Sequence, residues 1–130
     1  MLLRRAKWFL EEAEDSLEKR RYDLACFLAE QSAQLRVKAA LLRVIGDYPK
    51  LHQLRLLLNM LGDALHSCRD MVMRFIRENR SLLSELEDAY LLARYGVKEY
   101  DADDAKEMLE TAKRIWRLVE EVEERCSGDI

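Results

Sequence analysis

The chain has 130 residues, of which 49% are hydrophobic and 36% are charged, with only 4 glycines and 1 proline. This composition excludes a disordered chain and disfavours a β-sandwich, which needs many turns. The 22 basic and 25 acidic side chains give a net charge of −3, so the molecule as a whole has no positive excess that would hold DNA. The length is that of one domain, which we place at residues 1–130.

Two features of the sequence indicate a cytoplasmic protein without a membrane partner. The longest uncharged run inside the chain, Leu56 to Gly62, has 7 residues, whereas a membrane-spanning helix needs about 18. The first residues also lack the apolar core and cleavage site of a secretion signal. Cys26, Cys68 and Cys126 are odd in number and widely spaced, so we expect free thiols rather than a disulfide framework or a zinc site.

Helical periodicity begins near the start of the chain and predicts two long helices. The first runs from about Leu3 to Lys19. The second runs from Tyr22 or Asp23 to Ile45 and ends at Gly46, a residue that readily adopts the left-handed conformation of a helix end. The second helix carries two apolar stripes: one of Leu24, Phe27, Leu28, Leu35 and Leu42, and one of Ala25, Ala29, Ala33, Val37, Ala40 and Leu41. Two stripes need two neighbours, which we expect to be the bundle and a second copy of the chain, in a homodimer.

Three further helices follow the break at Pro49. Leucine spacing predicts a helix from Leu51 to about Arg77 with an interruption near Gly62, and a shorter one from Leu82 to Arg94 or Tyr95. Asp101 can cap the last helix, whose apolar face extends to Val122. The predicted fold is therefore all-α, an up-and-down bundle of four to five helices.

The sequence contains no motif typical of an enzyme, such as a glycine-rich phosphate loop or a nucleophile elbow. Asp63 and His66 resemble half of a carboxylate-bridged metal site, but a second acid-x-x-His pair is missing, so we expect no metal and no cofactor. We also assign no catalytic residue. His52, in the opening turn of the predicted third helix, can serve either structure or a ligand.

A cluster of tyrosines surrounds an arginine before the last helix. Tyr90, Arg94 and Tyr95 fall within about two turns of a helix, and Tyr100 follows. A guanidinium offers a planar fork to phosphate and a tyrosine offers a stacking surface, which suits a nucleotide. Alternatively, Arg94 pairs with Asp101 or Asp104 and ties down the loop.

The order of these segments resembles the HEPN domain family. The run from Arg21 to Ala33, followed by Lys38 and Ala39, is similar to the second helix of that family, and the segment from Leu51 to Leu54 is similar to its "His-x-Leu" start of helix three. The segment from Tyr90 to Tyr95 resembles the "Y-x-x-A-R-Y" signature. The resemblance covers nearly the whole chain.

The resemblance implies a helical bundle that dimerises and acts with a small nucleotidyltransferase, in some cases as a toxin–antitoxin pair. Many members are proposed to bind nucleotides, and others are metal-independent ribonucleases with an Arg-x4–6-His motif. Neither His52 nor His66 has an arginine at that spacing. This chain therefore lacks the general acid or base that the ribonuclease reaction of its relatives requires. We accordingly favour a protein that is not an enzyme.

By this resemblance we assign ligand binding to a set of five residues: Lys38, His52, Tyr90, Arg94 and Tyr95. Gln31 and Lys38 match the family pattern, but Gln34 stands where glutamate is common and Leu35 where lysine is common, so the polar face of the second helix is altered. The leading hypothesis is a non-catalytic or weakly catalytic HEPN-type dimer that binds a nucleotide or a nucleotidyltransferase. The alternatives are a ribonuclease with a degenerate site, using Arg94, and a purely structural adaptor.

Overall fold

The computed structural model describes residues 1–93, 95–96, 98–126 and 128. These residues form six α-helices and no strand, which confirms the prediction of an all-α bundle. The helices are α1 (Leu2–Glu18), α2 (Tyr22–Ile45), α3 (Leu54–Ala64), α4 (Arg69–Glu78), α5 (Arg80–Leu92) and α6 (Ala102–Arg125). None of these helices carries an apolar stretch long enough to cross a bilayer.

Helix α2 is the central element of the bundle and packs against α1, α3, α5 and α6. The stripe that is richest in alanine is fully buried, because small side chains let the neighbouring helices approach closely. The other apolar stripe remains at the surface: Leu24 and Leu42 are 43% and 42% exposed, and Phe27, Leu28 and Leu35 are half-buried. The bundle is therefore one of the two neighbours that the sequence predicts for α2, and it covers the alanine-rich stripe.

A buried polar junction joins α1, α2 and α6. The indole N–H of Trp116 donates to Ser32 Oγ at 2.9 Å, and the Ser32 hydroxyl donates to the carbonyl of Ala6 at 2.7 Å. Arg36 lies 5.2 Å from the centroid of the Trp116 ring and pairs with Glu123. These bonds satisfy the Trp116 and Ser32 donors, although Arg36 Nε is buried without a hydrogen-bond partner among the described residues, and they tie the three helices to one another.

The predicted third helix is two helices. The chain leaves α3 at Leu65, passes through a short 3-10 turn (His66–Cys68) and resumes as α4 at Arg69. Gly62 marks the close approach of the two: a Cβ there would lie 3.3 Å from Val72 Cβ and from Met73 Cε. The interruption therefore lies where the sequence predicts it, although Leu65, Val72 and Ile76 continue the apolar spacing across it into the same core.

The predicted helix ends at Gly46 and Asp101 are confirmed. Gly46 has φ +78° and its N–H donates to the carbonyl of Leu42 at 2.9 Å. Asp101 and Asp104 form a capping box, in which the N–H of Asp104 donates to Asp101 Oδ1 at 2.8 Å and the N–H of Asp101 donates to Asp104 Oδ2 at 3.1 Å.

The expectation of three free thiols is wrong for two of the cysteines. Cys68 and Cys126 form a disulfide, with their Cα atoms 6.2 Å apart, whereas Cys26 is free and buried. Spacing along the chain carries no information on this pair, because the fold brings the start of α4 and the end of α6 together over 58 positions.

Candidate functional site

Helix α2 buries three polar side chains on one face. Glu30, Gln34 and Lys38 follow one another at intervals of four residues, and their exposures are 0%, 4% and 6%. Gln34 joins the other two, since its Nε2 donates to Glu30 Oε2 at 2.8 Å and its Oε1 accepts from Lys38 Nζ at 2.9 Å. A carboxylate and an ammonium are thus linked through one amide.

The segment between α2 and α3 brings His52 onto this face. His52 Nδ1 lies 3.1 Å from Gln34 Oε1, and the imidazole stacks on the Tyr90 ring of α5 with centroids 4.6 Å apart and planes inclined by 16°. These residues, together with Gln31, which donates to Glu30 Oε1 at 2.8 Å, constitute the Gln34 cluster. Its members are Glu30, Gln31, Gln34, Lys38, His52 and Tyr90.

The environment of the cluster shifts both charged groups towards neutrality. Burial raises the pKa of Glu30 from 4.5 to about 7, and the hydrogen bonds from Gln34 and Gln31 and the charge of Lys38 oppose this only in part. Burial also lowers the pKa of Lys38, which the charge of Glu30 partly offsets. The Lys38 ammonium lies 5.7 Å from the centroid of the Tyr48 ring, an arrangement that favours a cation.

A groove of about 770 Å³ adjoins the cluster between the start of α3 and the end of α5. His52 and Tyr90 form part of its wall, and the rest is lined by leucines and by charged side chains, among them Lys50 and Asp88. Arg55 and Glu87 also line it but pair with each other: the Arg55 backbone N–H donates to Glu87 Oε2 at 2.8 Å and its Nη2 donates to Glu87 Oε1 at 2.7 Å. This pair joins α3 to α5 and raises the pKa of Arg55. The groove therefore combines an aromatic wall with charges of both signs.

The chain matches the HEPN domain over residues 1–122. It belongs to the HEPN family. Its structure is also similar to the crystal structure of TT1696 from Thermus thermophilus, with a TM-score of 0.75 and 27% identity over 93% of this chain and 94% of that one. A comparison with curated proteins finds no match.

This HEPN domain brings three of the five predicted site residues together. Lys38, His52 and Tyr90 all belong to the Gln34 cluster, although Lys38 lies behind the groove and not in its lining. Tyr95 lies in the turn after α5 and is 65% exposed. Arg94 lies outside the described residues, and with it the alternative that it pairs with Asp101 or Asp104.

Two details of the predicted site need correction. His52 lies in the loop before α3, which begins at Leu54, and not in the opening turn of a helix. Tyr100 is separate from the cluster: it is buried against the start of α2, where its backbone N–H donates to Asp23 Oδ1 at 2.8 Å.

Sequence reasoning missed Glu30 and treated Gln34 only as a departure from the family pattern. The signal was the spacing Glu-x3-Gln-x3-Lys, which places three polar residues on one face of a helix that is otherwise rich in apolar residues. Polar side chains on a face that will be buried require partners, so this spacing predicts a hydrogen-bonded chain along the helix.

Proposed function

We propose that this HEPN protein binds a nucleotide in the groove between α3 and α5. The observation that carries the proposal is that the Gln34 cluster holds the His52–Tyr90 stack in the wall of the groove. Aromatic rings fixed in this way offer a surface on which a nucleobase can stack. The role is that of a binding protein, since this proposal assigns no residue to catalysis.

The remaining site residues have supporting roles in this proposal. Lys50 is exposed in the groove lining and supplies positive charge for a phosphate. Arg94 and Tyr95 follow Leu92, another lining residue, in the sequence and stay proposed phosphate contacts. Lys38 acts indirectly, because its ammonium is bonded to Gln34.

Calorimetric titration with ATP tests the binding site. We expect wild-type protein to release or absorb heat on binding, and His52→Ala and Tyr90→Leu to weaken binding by tenfold or more, which is about 1.4 kcal/mol. His66→Ala is the matched control, since His66 is an exposed histidine in the 3-10 turn after α3. Absence of heat for the wild type, or equal weakening by His66→Ala, would contradict the proposal.

We further propose that two copies pair through α1 and the exposed stripe of α2. A groove of about 440 Å³ between these helices is lined by Arg5, Trp8, Phe9 and Glu12 on α1 and by Leu35 and Gln31 on α2. The α1 residues are arranged symmetrically in the sequence about a point between Trp8 and Phe9. A two-fold axis at that point places Arg5 opposite Glu12 of the partner subunit, and the exposed Trp8 opposite Phe9 of the partner subunit.

Charge reversal tests the pairing. By light scattering, we expect a dimer for the wild type, monomers for Arg5→Glu and for Glu12→Arg, and a restored dimer for the double variant, in which the two charges are exchanged. Arg114→Glu, an exposed position on α6, is the control and should leave the dimer intact. A wild-type monomer at micromolar concentrations would refute the homodimer.

A small nucleotidyltransferase remains the proposed protein partner, in a cytoplasmic pair that can be of the toxin–antitoxin type, because the chain belongs to the HEPN family. Co-expression with a nucleotidyltransferase encoded beside this chain provides the test. We expect the two to elute together from a sizing column. Separate elution at concentrations well above micromolar would remove this partner from the proposal.

A further inference from the structure

The two charged members of the Gln34 cluster determine which way the Gln34 amide points. Lys38 Nζ lies 2.9 Å from one terminal atom of the amide, and an ammonium can only donate, so that atom is the oxygen. The other terminal atom is then the nitrogen, and it lies 2.8 Å from a carboxylate oxygen of Glu30, which accepts. Both neighbours require the same orientation.

The orientation of Gln34 in turn fixes the tautomer of His52. His52 Nδ1 lies 3.1 Å from the same Gln34 oxygen that accepts from Lys38, and an oxygen cannot donate. Nδ1 must therefore carry the proton. A neutral imidazole has only one N–H, so Nε2 carries a lone pair and acts as an acceptor.

The acceptor edge of His52 lies on the side of the ring away from α2. The Nδ1 edge is bonded to α2 and one ring face is stacked on Tyr90, while the residue as a whole is exposed and lines the groove. Among the described residues, no hydrogen bond to Nε2 is present. Asp88, also exposed in the groove lining, adds a carboxylate, which is a second acceptor.

We infer that Gln34 is a positioning residue that holds His52 as the Nδ1–H tautomer, so that the groove selects a nucleobase with an exocyclic amino group, such as adenine or cytosine. The inference rests on the proposed nucleotide site and adds its selectivity. A base that presents a carbonyl at this position would place an acceptor against an acceptor, and a site built around hydrogen bonds rejects such an analogue strongly.

The tautomer can be measured in the free protein, without any ligand. Long-range ¹H–¹⁵N spectra of ¹⁵N-labelled protein at pH 8 distinguish the two ring nitrogens of each histidine. We expect His52 to carry its proton on Nδ1, whereas the exposed His66 serves as an internal reference with the commoner Nε2–H form. A wild-type His52 in the Nε2–H form would overturn the inference.

A pair of matched variants tests the role of Gln34. Gln34→Met removes the acceptor, and we expect His52 to shift towards the Nε2–H form. Gln31→Met removes the other amide that donates to Glu30 and leaves the contact with His52 in place, so its spectrum should match the wild type. Equal tautomer populations in all three proteins would show that Gln34 does not position the ring. The wild-type measurement remains decisive if Gln34→Met does not fold.

Selectivity is tested with nucleotides that differ at one group. ATP and ITP differ by an amino group and a carbonyl, as do CTP and UTP at the corresponding position. We expect the amino member of each pair to bind at least tenfold more tightly, and His52→Leu to reduce this ratio severalfold, with Asp88 retaining the remainder. Equal affinities for ATP and ITP would overturn the selectivity and leave the proposed nucleotide site standing, whereas failure of all four to bind would overturn both.

Discussion

Glu30 is a carboxyl group on α2 that has no solvent exposure. Burial raises its pKa in the folded protein to about 7, above the value of 4.5 that applies when it is free in water. The folded state therefore holds this proton more tightly than the unfolded chain does. The resulting contribution to stability is fully present below pH 4.5 and is lost as the pH rises through 7.

The Glu30→Gln substitution should remove this pH dependence. Between pH 4.5 and 8 we expect ionisation of Glu30 to lower the wild-type free energy of unfolding by about 3 kcal/mol, and the variant to lack this decrease. Urea denaturation at a series of pH values measures it. Glu120→Gln, at an exposed position on α6, should retain the wild-type slope, and the same slope in Glu30→Gln would contradict the assignment.

At the scale of single residues, the sequence predicted which residues belong to the site better than it predicted the contacts between them. Lys38, His52 and Tyr90 were found from family-like motifs, and the structure joins them. Gln34, which connects two of them, was not predicted because its bond to His52 spans 18 positions and depends on the path of the loop before α3. Helical spacing reports which face a residue occupies and not which loop will cover that face.

The ends of elements follow rules that are local in sequence, and α6 shows this best. Asp101 satisfies a backbone N–H at the start of the helix, and Asp104 returns the bond. Interruptions inside an apolar pattern are different. The sequence predicted an interruption near Gly62, but apolar spacing does not report the sharp turn at Leu65, which depends on the close approach of α4 to Gly62.

Removal of the cap should destabilise the protein measurably. We expect Asp101→Ala to lower the free energy of unfolding by about 1 kcal/mol, since it leaves a backbone donor without its partner. Asp103→Ala alters the same first turn without touching the capping box and should cost clearly less. Urea denaturation of the two variants gives the comparison. If both lose the same free energy of unfolding, the hydrogen bonds of the capping box contribute nothing beyond the negative charge of Asp101.

At the scale of the whole molecule, the Cys68–Cys126 disulfide joins the middle of the chain to the end of α6. A crosslink of this span restricts the unfolded chain, and for a loop of about 58 residues it is expected to contribute about 4 kcal/mol. The odd number and wide spacing of the cysteines favoured free thiols. This expectation was wrong because pairing depends on the tertiary fold, which spacing along the chain does not report. In the proposed cytoplasmic setting, where thiols are kept reduced, the bond would be open.

A reductant should therefore lower the denaturant concentration at which half of the wild-type protein is unfolded. The double variant Cys68→Ser/Cys126→Ser should behave like the reduced wild type, whether or not reductant is present. Cys26→Ala, which changes the free cysteine, should keep the full response to reductant. A wild type with the same midpoint under both conditions would show that the bond does not contribute to stability.

The two tryptophans of this chain occupy different surroundings, and each is a natural fluorophore. Trp8 is 55% exposed on α1, whereas the indole of Trp116 is hydrogen-bonded inside the junction of three helices. Emission from the first therefore responds to whatever covers the outer surface of α1, and emission from the second responds to loosening of the interior. With either indole replaced by phenylalanine, association and unfolding acquire separate optical signals in an otherwise unlabelled protein.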